Sequence, residues 1–142
     1  MNESTKAELH ALRANSKVAY VGSTHAEGFP QIKAMLVLEH ENIRSQYFST
    51  NLSSKRAQRF LQEQKASVYY CDEARFKGAL FTGTMEVRTD RETKAFLWRE
   101  GFEMYYPGGI DDDDYCVLKF TADTVNYYHG MVNATHSIEE GL

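Results

Sequence analysis

The segment Tyr47 to Phe60, YFSTNLSSKRAQRF, sets three cations, Lys55, Arg56 and Arg59, in the first two turns of a predicted helix. A helix N-terminus carries roughly half a positive charge and unpaired N–H groups, so acids belong there and bases are disfavoured. An anion would reverse that balance. The Ser and Thr hydroxyls of the segment, the open N–H groups of the helix start, and the side chains of Lys55 and Arg56 can converge on one phosphate, with Arg adding a fork geometry. The same pattern also fits a helix that shows its cations to water, and the residues by themselves leave both readings open.

Other chemistries find less support. His10, His25, His40, His129 and His136 show no HExxH, HxH or Cys-plus-His spacing, so no metal site is expected, and most are read as surface residues. There is no GxSxG elbow, no glycine-rich phosphate loop, and no cysteine beside a plausible base. The acidic run Asp111 to Asp114 lacks the alternating ligands and central glycine of a calcium loop and reads as a solvated turn. Cys71 and Cys116 lie far apart inside strand-like runs, so buried free thiols are expected.

The chain of 142 residues fits one domain with room for a core, and 42% hydrophobic with 25% charged residues is ordinary for a globular protein. Sixteen Lys and Arg against twenty Asp and Glu give a net charge of −4, which excludes a broad basic field for nucleic acid. The longest apolar run, Ala34 to Leu38, is far short of a membrane span, and the polar N-terminus has no apolar signal region. A cytoplasmic protein with no membrane or nucleic-acid partner is expected.

The elements that must position the cationic segment read as follows. A helix is predicted from Thr5 to Ala14, opened by the box Thr5-x-x-Glu8, with Leu9 and Leu12 on one face. Strands follow over 18–23 and 31–38, joined by a hairpin through Gly28 and Pro30, and over 43–50. The cationic helix spans 54–64, capped by Ser53 or Ser54, with Ala57, Phe60 and Leu61 as its apolar stripe. Further strands cover 66–71 and 78–87, where Gly83 suggests a bulge or close backbone approach. A second box, Thr89-x-x-Glu92, opens a helix to about Arg99, and strands at 115–121 and 124–128 complete the set. Residues 129–142 are left as a C-terminal tail. Seven strands with few helices describe a mainly β, closed or partly closed antiparallel barrel, of OB-like or split type.

Several segments, in order, resemble one family. FSTNLSSKRAQ resembles the phosphate-binding segment of the pyridoxamine 5′-phosphate oxidase-like proteins, the FMN-binding split β-barrels. Upstream, GFPQIKAML is similar to their second strand, with Lys33 at its basic position. Downstream, LFTGTMEV resembles a later strand, and YYPGGIDDDDYCVLKF resembles the ending of the short general-stress-protein branch. The resemblance runs from about Val18 to Tyr128 and favours the antiparallel split barrel over the OB type.

The resemblance implies FMN as cofactor. Lys55 and Arg56 would pair with its phosphate, Thr50 and Ser54 would add hydroxyl hydrogen bonds, and Lys33 would reach the phosphate or ribityl side. The main chain of Ala34, Met35 and Leu36 would lie along the flavin ring edge, and Tyr105 or Tyr106 would lie against the ring. It also implies a homodimer, which an excess of aromatics (9 Tyr, 8 Phe, 1 Trp) supports. The family's substrate-holding Arg-x-His motif is missing, since no Arg follows Arg99, so a pyridoxal-phosphate-forming oxidase is not expected. The expected function is a flavin-dependent oxidoreductase working with a small electron donor or acceptor. The alternatives are a flavin-binding sensor or carrier without turnover, and an OB-like protein without flavin.

Overall fold

The computed structural model describes residues 1–38 and 42–139. Seven antiparallel strands form one sheet: β1 (Val18–Thr24), β2 (Pro30–Leu36), β3 (Ser45–Asn51), β4 (Lys65–Asp72), β5 (Lys77–Arg88), β6 (Tyr115–His129) and β7 (Val132–Ser137). Three helices accompany them: α1 (Glu3–Ala14), α2 (Lys55–Gln62) and α3 (Arg91–Leu97). The strand order is β2-β1-β4-β5-β6-β3, with β7 also on β6. The sheet curls without closing, because β2 and β3 end the path unpaired with each other, and the fold is a split barrel.

The split is written into β6. One edge of this 15-residue strand pairs with β5, from Lys77↔His129 to Arg88↔Val117. The other edge takes β3 along 115–121 and β7 along 124–129. The handover falls at Ala122 and Asp123, where the β5 register shifts between Thr82 and Gly83. There Ala122 N–H donates to the Arg44 carbonyl before β3, and the Ile138 N–H donates to the Asp123 carbonyl after β7. Gly83 is required at this bulge, because a Cβ there would stand 2.0 Å from the Thr121 carbonyl oxygen.

Two of the predicted strands are therefore one: 115–121 and 124–128 are halves of β6, and Ala122 and Asp123 between them form a bulge. The predicted tail contains β7, whose polar sequence VNATHS suits an edge strand with no fully buried side chain.

Helix starts also differ from the sequence boxes. Asn2 caps α1 by accepting from Thr5 N–H at 2.8 Å, and Asp90 caps α3 by accepting from Thr93 N–H at 3.0 Å. Thr5 and Thr89 lose to neighbours whose side-chain oxygens already face the open N–H groups.

The main core fills the curled sheet. Leu9 and Leu12 of α1 and Phe60 of α2 meet Val21, Phe48, Val68, Phe81 and Phe120 there. Leu61, expected on the apolar stripe of α2, is 58% exposed, since Ala57 and Phe60 alone turn inward from that short helix. A second, aromatic core under α3 joins Leu97, Phe102, Tyr106, Tyr115 and Val117, with Trp98 packed against it. Both cysteines are free; Cys116 is buried, whereas Cys71 is only half-buried because it faces the outer side of β4. Among the described residues no helix is long and apolar enough to cross a membrane.

Candidate functional site

β3 delivers the cationic segment. Its side chains alternate, with Gln46, Phe48 and Thr50 buried and Ser45, Tyr47, Ser49 and Asn51 on the other face. Thr50 thus ends the inward row, while Asn51 looks toward the start of β6, where it pairs with Tyr115. The chain then turns through Leu52 and Ser53. Ser54 caps α2, its side chain accepting from Ala57 N–H at 3.1 Å.

Arg56 sits at the centre of this turn. Its Nη2 donates to Thr50 Oγ1 at 3.1 Å, and Thr50 Oγ1 lies 3.5 Å from Ser54 Oγ. Its Nε is buried without a hydrogen-bond partner, the one such side-chain atom among the described residues. Burial lowers the guanidinium pKa, while interaction with Tyr106 acts in the opposite sense. No carboxylate pairs with Arg56 among the described residues. A desolvated cation with an unmet donor is a costly feature unless an acceptor arrives from outside.

The neighbouring donors are equally unspent. Lys55 is exposed and makes no hydrogen bond or ion pair among the described residues, and the N–H groups of Lys55 and Arg56 meet no backbone acceptor. The first turn of α2 holds no acid. Arg59 is directed elsewhere, donating through Nε to the Thr24 carbonyl and so tying α2 to the end of β1. The turn thus brings together Arg56, the helix N-terminus and the hydroxyls of Thr50 and Ser54, with Lys55 exposed at the first helical position.

The acidic run, read from sequence as a solvated turn, is in fact mostly engaged. Asp111 pairs with Arg91 at 3.0 Å. Asp112 accepts from Gly108 N–H and Asp114 N–H. Asp114 accepts from Ser53 N–H at 2.8 Å, Ser53 Oγ at 2.9 Å and Asn51 Nδ2 at 2.9 Å. Those bonds, led by the Ser53 N–H, hold its carboxyl below the usual aspartate range. Its part could not be read from sequence, because it depends on a contact across 61 residues. Among the described residues no three His, Cys, Asp or Glu side chains converge as a metal set. His25 and His129 are exposed and His10 and His136 half-buried, and His40 lies outside the described residues.

The remaining predicted site residues fall in two places. Lys33, Ala34, Met35 and Leu36 lie on β2, the terminal strand of the sheet, whose outer main-chain edge pairs with no strand among the described residues. Lys33 stands opposite Val21 and Met35 opposite Ala19, so they share the core-side face, while Ala34 and Leu36 face outward. Only Met35 is buried. No hydrogen bond or ion pair among the described residues joins Lys33 to the Arg56 cluster.

Tyr105 and Tyr106 part company. Tyr106 is 3% exposed, its ring 4.6 Å from that of Tyr115 and also against Phe102 and Trp98. Burial raises its pKa, and a hydrogen bond with Ser49 opposes the rise. Tyr105 is 59% exposed beside it. Tyr106 therefore backs the Arg56 side of the site from the aromatic core, and Tyr105 alone presents an open ring.

The family model described as pyridoxamine 5′-phosphate oxidase like matches residues 4–140. The chain belongs to that family. It is similar to a solved Clostridium acetobutylicum protein, described as related to general stress protein 26 of B. subtilis, with 39% identity, 97% of each chain covered and a TM-score of 0.88. General stress protein 26 from Bacillus anthracis shares the fold at a TM-score of 0.78 and 13% identity, covering 94% of this chain and 98% of that one. A heme binding protein from Mycobacterium smegmatis shares it too, at 0.76 and 16% identity, covering 96% of this chain and 59% of that one. No curated protein matches the chain. The fold is thus shared with a protein described as heme binding, and the ligand of this chain has to be argued from its own donors.

Proposed function

We propose that this protein binds FMN at the turn between β3 and α2 and acts, as a homodimer, as a flavin-dependent oxidoreductase on a small molecule. The observation that carries the reading is the buried, unpartnered Nε of Arg56, to which no carboxylate is paired among the described residues. A phosphate monoester is an acceptor of the right charge for that set. Thr50, Ser54, Lys55 and Arg56 would hold it, with Lys33 contributing from β2. The unpaired main-chain edge at Ala34, Met35 and Leu36 offers N–H and C=O groups to the polar atoms of a flavin ring, and Tyr105 offers an aromatic face.

Bound flavin supplies the hydride and single-electron chemistry. The protein's residues bind and orient it, and no side chain is assigned as general acid or base. The pyridoxal-phosphate-forming reaction is not proposed, since no Arg follows Arg99 to complete the family's substrate-holding motif.

The dimer is supported by the outer face of the sheet. Ile32 and Leu36 on β2 are 73% and 50% exposed, and Tyr20 and Leu80 lie on the same face, in register with Ala34 and Tyr69. A monomer would leave this apolar band in water. Sedimentation should show a species of twice 16.3 kDa at micromolar protein; only the 16.3 kDa species, with FMN bound, contradicts the dimer.

Stopped-flow mixing of the FMN-loaded protein with NADH and with NADPH tests the enzymatic part. Rapid bleaching of the oxidised flavin band with either donor is expected. Stable oxidised flavin with both would make this a binding module, a sensor or carrier, rather than a reductase.

A further inference from the structure

The turn that carries the candidate anion site has several of its polar groups tied to one residue of the acidic run. Asp114, immediately before β6, takes the Ser53 N–H, the Ser53 hydroxyl and the Asn51 amide on its two carboxylate oxygens. Its own carbonyl takes the Leu52 N–H at 2.7 Å, which extends the β3–β6 ladder one step past Asn51↔Tyr115. From the other side Gln58 Nε2 donates to the Leu52 carbonyl at 2.7 Å, and Ser54 N–H donates to the Asn51 carbonyl at 3.0 Å. Once these bonds are made, the donors left unspent are the helix-start N–H groups, Lys55 and Arg56.

Asp114 is in turn set by the acidic run. Asp112 accepts from the Asp114 N–H at 2.9 Å with one oxygen and from the Gly108 N–H at 2.8 Å with the other. The YYPGG turn, the acidic run and the cationic turn are thereby one hydrogen-bonded unit. A carboxylate this close to an anion site would ordinarily repel the ligand. Here both oxygens face backbone and side-chain donors of the turn, so the charge is spent on the scaffold.

We infer that Asp114 is the positioning residue of the anion site, holding residues 51–54 so that the α2 N-terminus, Lys55 and Arg56 receive a phosphate without first having to be ordered. The inference rests on the reading of this turn as a phosphate site. Binding groups held in advance by a supporting shell lose little freedom when the ligand arrives, and loss of that shell shows as weaker affinity. Asp114 touches no ligand in this scheme and acts only through the turn.

The test uses the full-length protein, with Asp114→Asn and Asp114→Ala variants titrated with FMN, riboflavin and inorganic phosphate. Asn keeps an acceptor for Ser53 N–H but turns an amide toward donors. Its FMN affinity should fall about tenfold, and that of Ala about ten- to hundredfold, the range for hydrogen bonds to a charged group. Riboflavin affinity should stay within about twofold, and phosphate affinity should fall in step with FMN. Hydrogen exchange of the Ser53 amide should quicken in both variants while the β5 and β6 amides keep their protection, which separates a loosened turn from a loosened fold. Unchanged FMN affinity in both variants overturns the inference and leaves the FMN reading standing. Equal loss for FMN and riboflavin also overturns it, since the damage would then be general. If wild type binds phosphate but not FMN, the FMN reading falls and Asp114 is judged on phosphate alone; if wild type binds neither, both fall.

Discussion

Replacing Arg56 by Met separates a binding role from a folding role, because the two respond with opposite signs. Arg56 is half-buried, makes one protein hydrogen bond, to Thr50 at 3.1 Å, and leaves its buried Nε unmet. In the ligand-free protein an unmet buried donor costs about 1–3 kcal/mol, while the Thr50 bond contributes about 0.5–1.5 kcal/mol. Met keeps much of the stem volume and removes both. Stability without ligand should therefore be unchanged or rise by up to about 2 kcal/mol, and each kcal/mol moves Tm by roughly 4 °C in a chain of this size. Binding runs the other way, since a hydrogen bond to a charged group is worth about 1.5–3 kcal/mol, or about ten- to hundredfold in Kd. Fluorescence titration with FMN and riboflavin, beside thermal unfolding of the ligand-free protein, reads both effects. A Tm drop of several degrees without ligand would make Arg56 a structural residue. Equal loss for FMN and riboflavin, or no loss for FMN, would refute the phosphate assignment.

Gly83→Ala should destabilise by about 3 kcal/mol in chemical denaturation, because the new methyl meets the Thr121 backbone at the β5–β6 bulge rather than a side chain that can move. Tyr106→Ala should cost about 3–5 kcal/mol by emptying the aromatic core, whereas Tyr105→Ala should change stability by less than about 0.5 kcal/mol and yet alter the fluorescence of bound flavin. Asp90→Ala should lose about 1 kcal/mol of cap energy near pH 7. The Thr93 hydroxyl and N–H hold the Asp90 carboxyl well below the usual carboxylate range, so its contribution is present above the unfolded-state value of about 3.9 and fades as pH falls below it. Unfolding curves of wild type and variant should accordingly converge in acid.

How much of this was legible follows from how local each feature is. The β1–β2 hairpin and a serine cap on α2, at Ser53 or Ser54, are set by neighbours in sequence, and the pattern carried them. Gly83 stood out as a bulge or close approach, although the Thr121 carbonyl that requires it lies on another strand. The capping boxes failed by one to three residues because Asn2 and Asp90 compete with Thr5 and Thr89 for the same N–H groups, and nothing in the spacing ranks them. β6 was cut in two at Ala122 and Asp123 because a bulge interrupts the strand pattern locally, and only the pairing with β5 on both sides of it shows one strand. β7 was missed because an edge strand needs no apolar face. Asp114 was hidden more deeply, since its value lies in reaching Asn51 and Ser53 across the barrel, and a run of four aspartates gives no sign of which one turns inward. The division between Tyr105 and Tyr106 was likewise invisible, because two adjacent tyrosines carry the same pattern and only tertiary packing chooses between them.

The most direct test of the central claim is the absorption spectrum of the purified protein, with the mass of whatever it releases on denaturation. Oxidised-flavin bands in the near-ultraviolet and visible are predicted, with a released species of the mass of FMN and full recovery of those bands when stripped protein is given FMN. A colourless protein that takes up no FMN, or one that carries a sharp heme Soret band in place of the flavin spectrum, would contradict the assignment of the Arg56 turn to a flavin phosphate.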